Sequence, residues 1–86
     1  KDQLRKFRDV ATETLLPRWE EVKDKGDFEL IREFAGLLKK EADLLSIQFF
    51  SDYAERILIN VESFDILEVD VMMKEFPVMI KKLELK

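Results

Sequence analysis

The stretch that decides the fold runs from Gly26 to Ser46 and reads GDFELIREFAGLLKKEADLLS. Its apolar residues recur at spacings of three and four, which places them on one face of a helix. These residues are Ile31, Phe34, Ala35, Leu38, Ala42 and Leu45. Asp27 stands where an N-cap belongs, so the pattern predicts a helix that begins after Asp27 and ends near Leu44.

Gly36 interrupts this helix on the side away from the apolar face. At about 100° per residue, Gly36 points roughly 140° from the centre of that face, among Arg32, Lys39, Lys40 and Asp43. A glycine inside a helix lowers its stability by about 1 kcal/mol relative to alanine. An exposed glycine at this position therefore calls for an explanation.

Around Gly36 the sequence resembles the core helix of histidine-containing phosphotransfer (HPt) domains, the helical bundles that pass phosphoryl groups in two-component relays. The family pattern is roughly A-H-x-L-K-G-x-A-x-x-L-G. The matching positions are Ala35, Leu38, Lys39, Ala42 and Leu45. Gly36 replaces the phospho-accepting histidine, and Lys40 and Ser46 replace the two glycines of the pattern. Because the chain contains no histidine, the resemblance implies an HPt-like bundle that does not carry the phosphoryl group.

The resemblance covers about residues 17–86, since the Gly26-Asp27 pair and the helix order also match HPt domains. The runs ESFDI (62–66) and MKEFP (73–77) are similar to tail domains of some bacterial hybrid sensor histidine kinases. Those tail domains follow a receiver domain and often lack the histidine. The resemblance implies a non-catalytic module that docks on a receiver domain in the same or a partner chain, in a cytoplasmic setting, with a parent protein that can be anchored at the inner membrane.

The docking face implied by the resemblance surrounds the degenerate phosphotransfer position, Gly36. It comprises Arg32, Gly36, Lys39, Lys40 and Asp43. The alternative is that Gly36 is a tolerated surface glycine whose charged neighbours only solvate the helix. Asp43 is a poor candidate as a substitute phosphoryl acceptor, because aspartyl phosphorylation of the receiver type needs a metal-binding acidic cluster at strand ends.

Length and composition narrow the function classes. Eighty-six residues predict one domain spanning 1–86, and the net charge of −4 gives no footprint for nucleic acid. Without cysteine or histidine the chain lacks the side chains of disulfides, thiol catalysis and the commonest transition-metal sites, so we expect no metal and no cofactor. The resemblance further implies a domain without enzyme activity. No apolar run approaches the roughly 20 residues of a membrane span. A start without methionine, in charged helical sequence, suggests a domain cut from a longer protein.

The remaining sequence predicts further amphipathic helices. The first begins at Asp2 and is expected to kink or split at Pro17; the third spans about Ile47 to Glu62, with Ser46 as its N-cap. The last carries an apolar stripe from Ile66 to Leu83, with a kink expected at Pro77. Short links between such helices predict an all-α, antiparallel up-down four-helix bundle.

A second possible contact surface lies on the last two helices. Ile59, Met72 and Met79 fall outside the apolar stripes of their helices, so the outer side of the bundle is predicted to be unusually apolar. This surface favours contact with a receiver domain or self-association with a second copy. The alternative function is therefore a structural or oligomerisation bundle with no role in a phosphorelay.

Overall fold

The computed structural model describes residues 2–84, with side chains described as far as residue 83. Within that range the chain is all-helical, which confirms the all-α prediction, and it forms four helical segments in a body of 36 × 20 × 17 Å. The helices are α1 (Asp2–Val10), α2 (Leu16–Val22), α3 (Phe28–Leu44), α4 (Gln48–Glu62) and α5 (Ile66–Glu84). A π-helical segment, Ala11–Leu15, joins α1 and α2 into the first of the four segments.

Helix α3 begins as predicted. The Asp27 carboxylate accepts hydrogen bonds from the backbone N–H groups of Glu29 at 2.9 Å and Leu30 at 3.4 Å, and its backbone is extended, as an N-cap requires. These bonds satisfy two of the amide groups that the first turn of a helix leaves without a partner. A short polar side chain therefore starts the helix that carries the candidate site.

Ser46 is not the N-cap of α4, contrary to the prediction; that position belongs to Ile47, whose side chain makes no capping bond. Ser46 instead adopts a left-handed backbone (φ 58°) that ends α3. The N–H groups of Ser46 and Ile47 donate to the carbonyls of Asp43 (3.2 Å) and Ala42 (2.8 Å), which is a Schellman motif. The prediction is wrong because a polar residue between two helices fits the end of one helix and the start of the next equally well from sequence alone.

Proline 17 does not end the first helical segment. It occupies the second position of α2, and the turn before it is π-helical, with the Leu16 N–H donating to the Ala11 carbonyl five residues back. A proline ring crowds the carbonyl four residues earlier and offers no N–H to it. The wider π-turn accommodates the ring without interrupting the helix.

Proline 77 lies inside α5, which continues to Glu84. Because Pro77 has no N–H, the Met73 carbonyl lacks the donor that an α-helix would supply from four residues ahead. The Trp19 indole N–H of α2 takes this place and donates to Met73 O at 2.7 Å. The Tyr53 hydroxyl of α4 donates in the same way to the adjacent Met72 carbonyl. Side chains from two other helices thus bind the turn that the proline weakens.

Aromatic side chains fill the centre of the bundle. Phe7 of α1 contacts Phe50 of α4 with ring centroids 4.7 Å apart, and Phe34 of α3 meets Phe76 of α5 edge to face at 5.1 Å. All four rings are buried. The core therefore draws at least one large ring from each of the four helical segments, and α3 packs most extensively on α4. None of the helices described between residues 2 and 84 is long and apolar enough to cross a membrane.

Candidate functional site

Gly36 lies on the exposed face of α3, opposite the side that the core buries. Ile31, Phe34, Ala35, Leu38 and Ala42 are buried, whereas Gly36 is exposed, as the stripe predicts. A Cβ atom built on Gly36 meets nothing within 4 Å. No close packing requires glycine at this position, and a larger side chain would project into solvent from the centre of the helix.

This open position leads to a stability prediction for the two glycines of the chain. Gly36→Ala is expected to raise the free energy of unfolding by about 0.5–1 kcal/mol, because alanine restricts the unfolded chain and fits the helix without contact. Gly26→Ala is the matched control: Gly26 has φ +62°, so alanine there should lower stability by about 1 kcal/mol. Urea denaturation would measure the free energy of unfolding of both variants. Equal changes in the two variants would contradict the placement of Gly36 at an open, unstrained helix position.

A polar cluster joins α3 to α4 beside Gly36. The Ser51 hydroxyl donates to the Asp43 carboxylate at 2.5 Å, and the Lys39 ammonium lies 3.3 Å from the other carboxylate oxygen and 3.5 Å from the Ser51 oxygen. Ser51 is buried between the helices, whereas Asp43 is exposed. The cluster holds Lys39, one turn from Gly36, in a fixed position on the α3 surface.

Asp43 should titrate below the usual range for aspartate. The Ser51 hydroxyl, followed by the Lys39 ammonium, donates hydrogen bonds to the charged form and lowers the pKa of this carboxyl from 3.8. Because the pKa of Asp43 is lower in the folded than in the unfolded state, its ionised carboxylate stabilises the fold at any pH above the unfolded-state pKa. This stabilisation is lost as the pH falls through the folded-state pKa. Ser51→Ala should move the Asp43 midpoint upward in a carboxyl ¹³C NMR titration.

Ser63→Ala is the matched control for that titration. The Ser63 hydroxyl donates to the Ile59 carbonyl at the far end of α4, so its loss should leave the Asp43 midpoint unchanged. An unchanged midpoint in Ser51→Ala would mean that the α3–α4 hydrogen bond does not hold the carboxylate in solution.

The other two cations of the candidate face differ in their surroundings. Arg32 pairs with Glu29 at 2.9 Å on its own helix and with Glu62 at 3.6 Å at the end of α4. Lys40 is exposed, and among the described side chains no carboxylate lies within ion-pair distance of it. The structure thus places all five predicted residues on one side of α3, where Arg32, Lys39 and Asp43 contact side chains of α4 and Lys40 projects into solvent.

A hydroxyl beside this face belongs to Ser51, which is buried and donates a hydrogen bond to the Asp43 carboxylate. Among the described residues, no group of three or more acidic, histidine or cysteine side chains is placed to hold a metal ion. The exposed cations around Gly36 can attract an acidic surface.

The second predicted surface is only partly exposed. Ile59 is 57 % exposed and Met79 is half-buried, but Met72 is 2 % exposed and belongs to the core. The expectation that Met72 faces outward is wrong: its sulfur receives the Asn60 amide at 3.3 Å, within the broad sector that α5 buries against α4. Met79 lines a groove of about 490 Å³ between α4 and α5, together with Phe49 and Val78.

Two features escaped the sequence analysis. Ser51 is the polar residue that the core buries, and its position among the apolar residues of α4 was the signal that could have identified it. The second feature is the exposed Leu67 of α5, although the apolar outer side predicted for this helix is present at Val71 and Val78. Ile66, which the apolar stripe predicted to be buried, is 67 % exposed.

No protein-family model, curated protein or solved structure compared with the chain matches it. The grounds for assigning a function are therefore the surroundings of Gly36 and the resemblance of the core helix to phosphotransfer domains. Both concern the same side of α3.

Proposed function

We propose that this chain is an HPt-like module without phosphotransfer activity, which docks on a receiver domain of a bacterial two-component signalling protein. The observation that carries the proposal is Gly36, an exposed glycine in the middle of α3 with open space around it. It occupies the position of the phospho-accepting histidine in the family pattern. Loss of the imidazole there removes the chemistry and leaves the surrounding surface accessible.

Charge supports a receiver domain as the partner. Receiver domains carry an acidic, metal-binding cluster at the site of phosphorylation, and α3 presents Arg32, Lys39 and Lys40 around the vacant position. Opposite charges steer two surfaces together and fix their orientation more than they add to affinity. Lys39 is held in place by Asp43, so it loses little conformational freedom on binding.

A titration of the ¹⁵N-labelled chain with the receiver domain encoded beside it would test the proposal. We expect chemical-shift changes centred on Gly36, Lys39 and Lys40. Lys40→Glu should weaken binding by about five- to tenfold, because it replaces attraction by repulsion at the rim of the contact. Arg18→Glu, the same charge change at an exposed position of α2, is the control and should have little effect. Absence of any shift at millimolar receiver would overturn the proposal.

Restoring the histidine is the second arm of this test. Gly36→His places an imidazole where nothing lies within 4 Å of the Cβ, so the variant should fold and accept ³²P from a phosphorylated receiver domain. Gly36→Ala serves as the control and should remain unlabelled. A folded, receiver-binding Gly36→His variant that takes no label would show that Gly36 does not correspond to the acceptor position.

The finer architecture belongs to the same proposal: an antiparallel up-down bundle whose first and last helical segments bend at Pro17 and Pro77. Its support is the way opposite ends of α3 and α4 meet. Arg32 near the start of α3 pairs with Glu62 at the end of α4, and Asp43 near the end of α3 bonds Ser51 near the start of α4. In such a hairpin the Gly36 face lies at the middle of the bundle.

A further inference from the structure

The outer face of α5 carries an apolar strip that no part of the described chain covers. Leu67, Val71 and Val78 are 81 %, 51 % and 55 % exposed. At about 100° per residue they lie within roughly 40° of one another, on the side of the helix opposite the buried Val69, Phe76 and Ile80. Helix α5 is therefore apolar on two opposite faces, of which the core uses one.

Charged residues flank this outer strip and are divided by sign along the helix. The acidic residues Glu68 and Asp70 lie near the start of α5, and the basic residues Lys81 and Lys82 lie near its end. All four are exposed. On the helical wheel Glu68 and Lys82 share one flank of the strip, and Asp70 and Lys81 share the other. Each flank thus runs from acidic to basic in the same direction.

We propose that this face binds a second copy of the same chain, with the two α5 helices antiparallel. In a twofold-symmetric pair each flank meets the same flank of the other copy, running in the opposite direction. Glu68 then faces Lys82 of the second copy, and Asp70 faces its Lys81, so each ion pair forms twice. Parallel pairing would instead place like charges together, which disfavours it.

The same register aligns the apolar strip with itself. When Val71 of one copy lies opposite Val78 of the other, the symmetry repeats that contact, and Leu67 covers the aliphatic stem of Lys82. Near the symmetry axis Lys74 lies beside Lys74 of the second copy and Glu75 lies beside its Glu75, so two like-charge contacts oppose the four ion pairs. Lys74 is already paired with Asp70 of its own helix at 3.0 Å, which offsets its charge.

The pairing is a weak association, because a strip of three apolar side chains with exposed ion pairs is at the low end of interface size. It does not depend on receiver docking, which uses α3. We expect sedimentation equilibrium of the unmodified chain, up to about 1 mM, to show an average mass rising above 10.3 kDa towards twice that value. A chain that stays monomeric at that concentration would overturn the proposal.

Two charge-reversal variants test whether this charged surface forms the contact. Glu68→Lys/Asp70→Lys makes both flanks basic, and Lys81→Glu/Lys82→Glu makes both ends acidic, so each variant alone should associate about tenfold more weakly. Mixed together they should recover association, because the opposite charges again face one another. Far-UV circular dichroism checks that both remain helical. If the mixture fails to recover association, the proposed surface is wrong.

Cross-linking measures the register directly, since the chain has no native cysteine. Val71→Cys mixed with Val78→Cys should form an intermolecular disulfide on oxidation. Val71→Cys alone should not, because its two copies lie about 10 Å apart along the helix axis, beyond disulfide reach. Ile59→Ser is the matched control on α4: it changes an exposed apolar residue and should leave association unaltered, whereas Val71→Ser should weaken it. The reverse result would assign the contact to α4 and overturn the proposal.

Discussion

Phe50→Ala is expected to lower the free energy of unfolding by about 3–5 kcal/mol, which is a large part of the stability of a domain this small. Phe50 is 1 % exposed and lies against Phe7 of α1 at 4.7 Å and Tyr53 of its own helix at 6.5 Å. Removing the ring leaves a cavity where α1 meets α4. Thermal unfolding followed by circular dichroism would show the loss as a markedly lower Tm.

The adjacent residue provides the control. Phe49 is also a phenylalanine in the first turn of α4, but it is 67 % exposed. Phe49→Ala should therefore change the free energy of unfolding by less than about 1 kcal/mol. Similar losses for the two variants would mean that α4 is rotated from its position in this structure.

The second large effect concerns Trp19. Trp19→Phe should cost about 2 kcal/mol, because it removes the indole N–H and leaves the buried Met73 carbonyl without the donor that Pro77 cannot provide. Denaturant unfolding would measure the loss. The expected loss is large because a buried carbonyl without any hydrogen-bond donor destabilises the fold by more than an ordinary side-chain hydrogen bond stabilises it.

A double-mutant cycle separates this cause from lost packing. In a Pro77→Ala background the N–H of residue 77 can bond to the Met73 carbonyl, so Trp19→Phe should cost about 1 kcal/mol less than in the native chain. The change of ring size is the same in both backgrounds and cancels in the difference. Equal costs in the two backgrounds would contradict the assigned role of the indole.

Most of the helical architecture was predictable because its signals are local. The stripe from Ile31 to Ala42 identified the buried face of α3, and Asp27 identified its beginning, since capping involves neighbours within one turn. Ser46 was assigned to the wrong helix end because a left-handed residue that terminates a helix is usually glycine. Phe64 has the same left-handed backbone (φ 55°) at the end of α4, and nothing in the sequence marks it.

The candidate site was also predictable from the sequence only in part. Arg32, Gly36, Lys39, Lys40 and Asp43 could be grouped from spacing alone, because residues three and four apart share one side of a helix. The residues of other helices that contact this group could not be predicted from spacing. Ser51 and Glu62 belong to α4, and their contacts with Asp43 and Arg32 depend on how two helices pack.

What the sequence by itself determined is the set of helices, the buried face of α3 and the absence of histidine. Only the tertiary structure decided which side chains are buried on helices that are apolar on more than one side. Met72 is in the core while Val71, its neighbour, is exposed, because the sector that α5 buries depends on where α4 and α1 lie. The same holds for Trp19 and Met73, which lie far apart in the chain. Periodicity describes one helix at a time, whereas burial and long-range hydrogen bonds are properties of helices packed together.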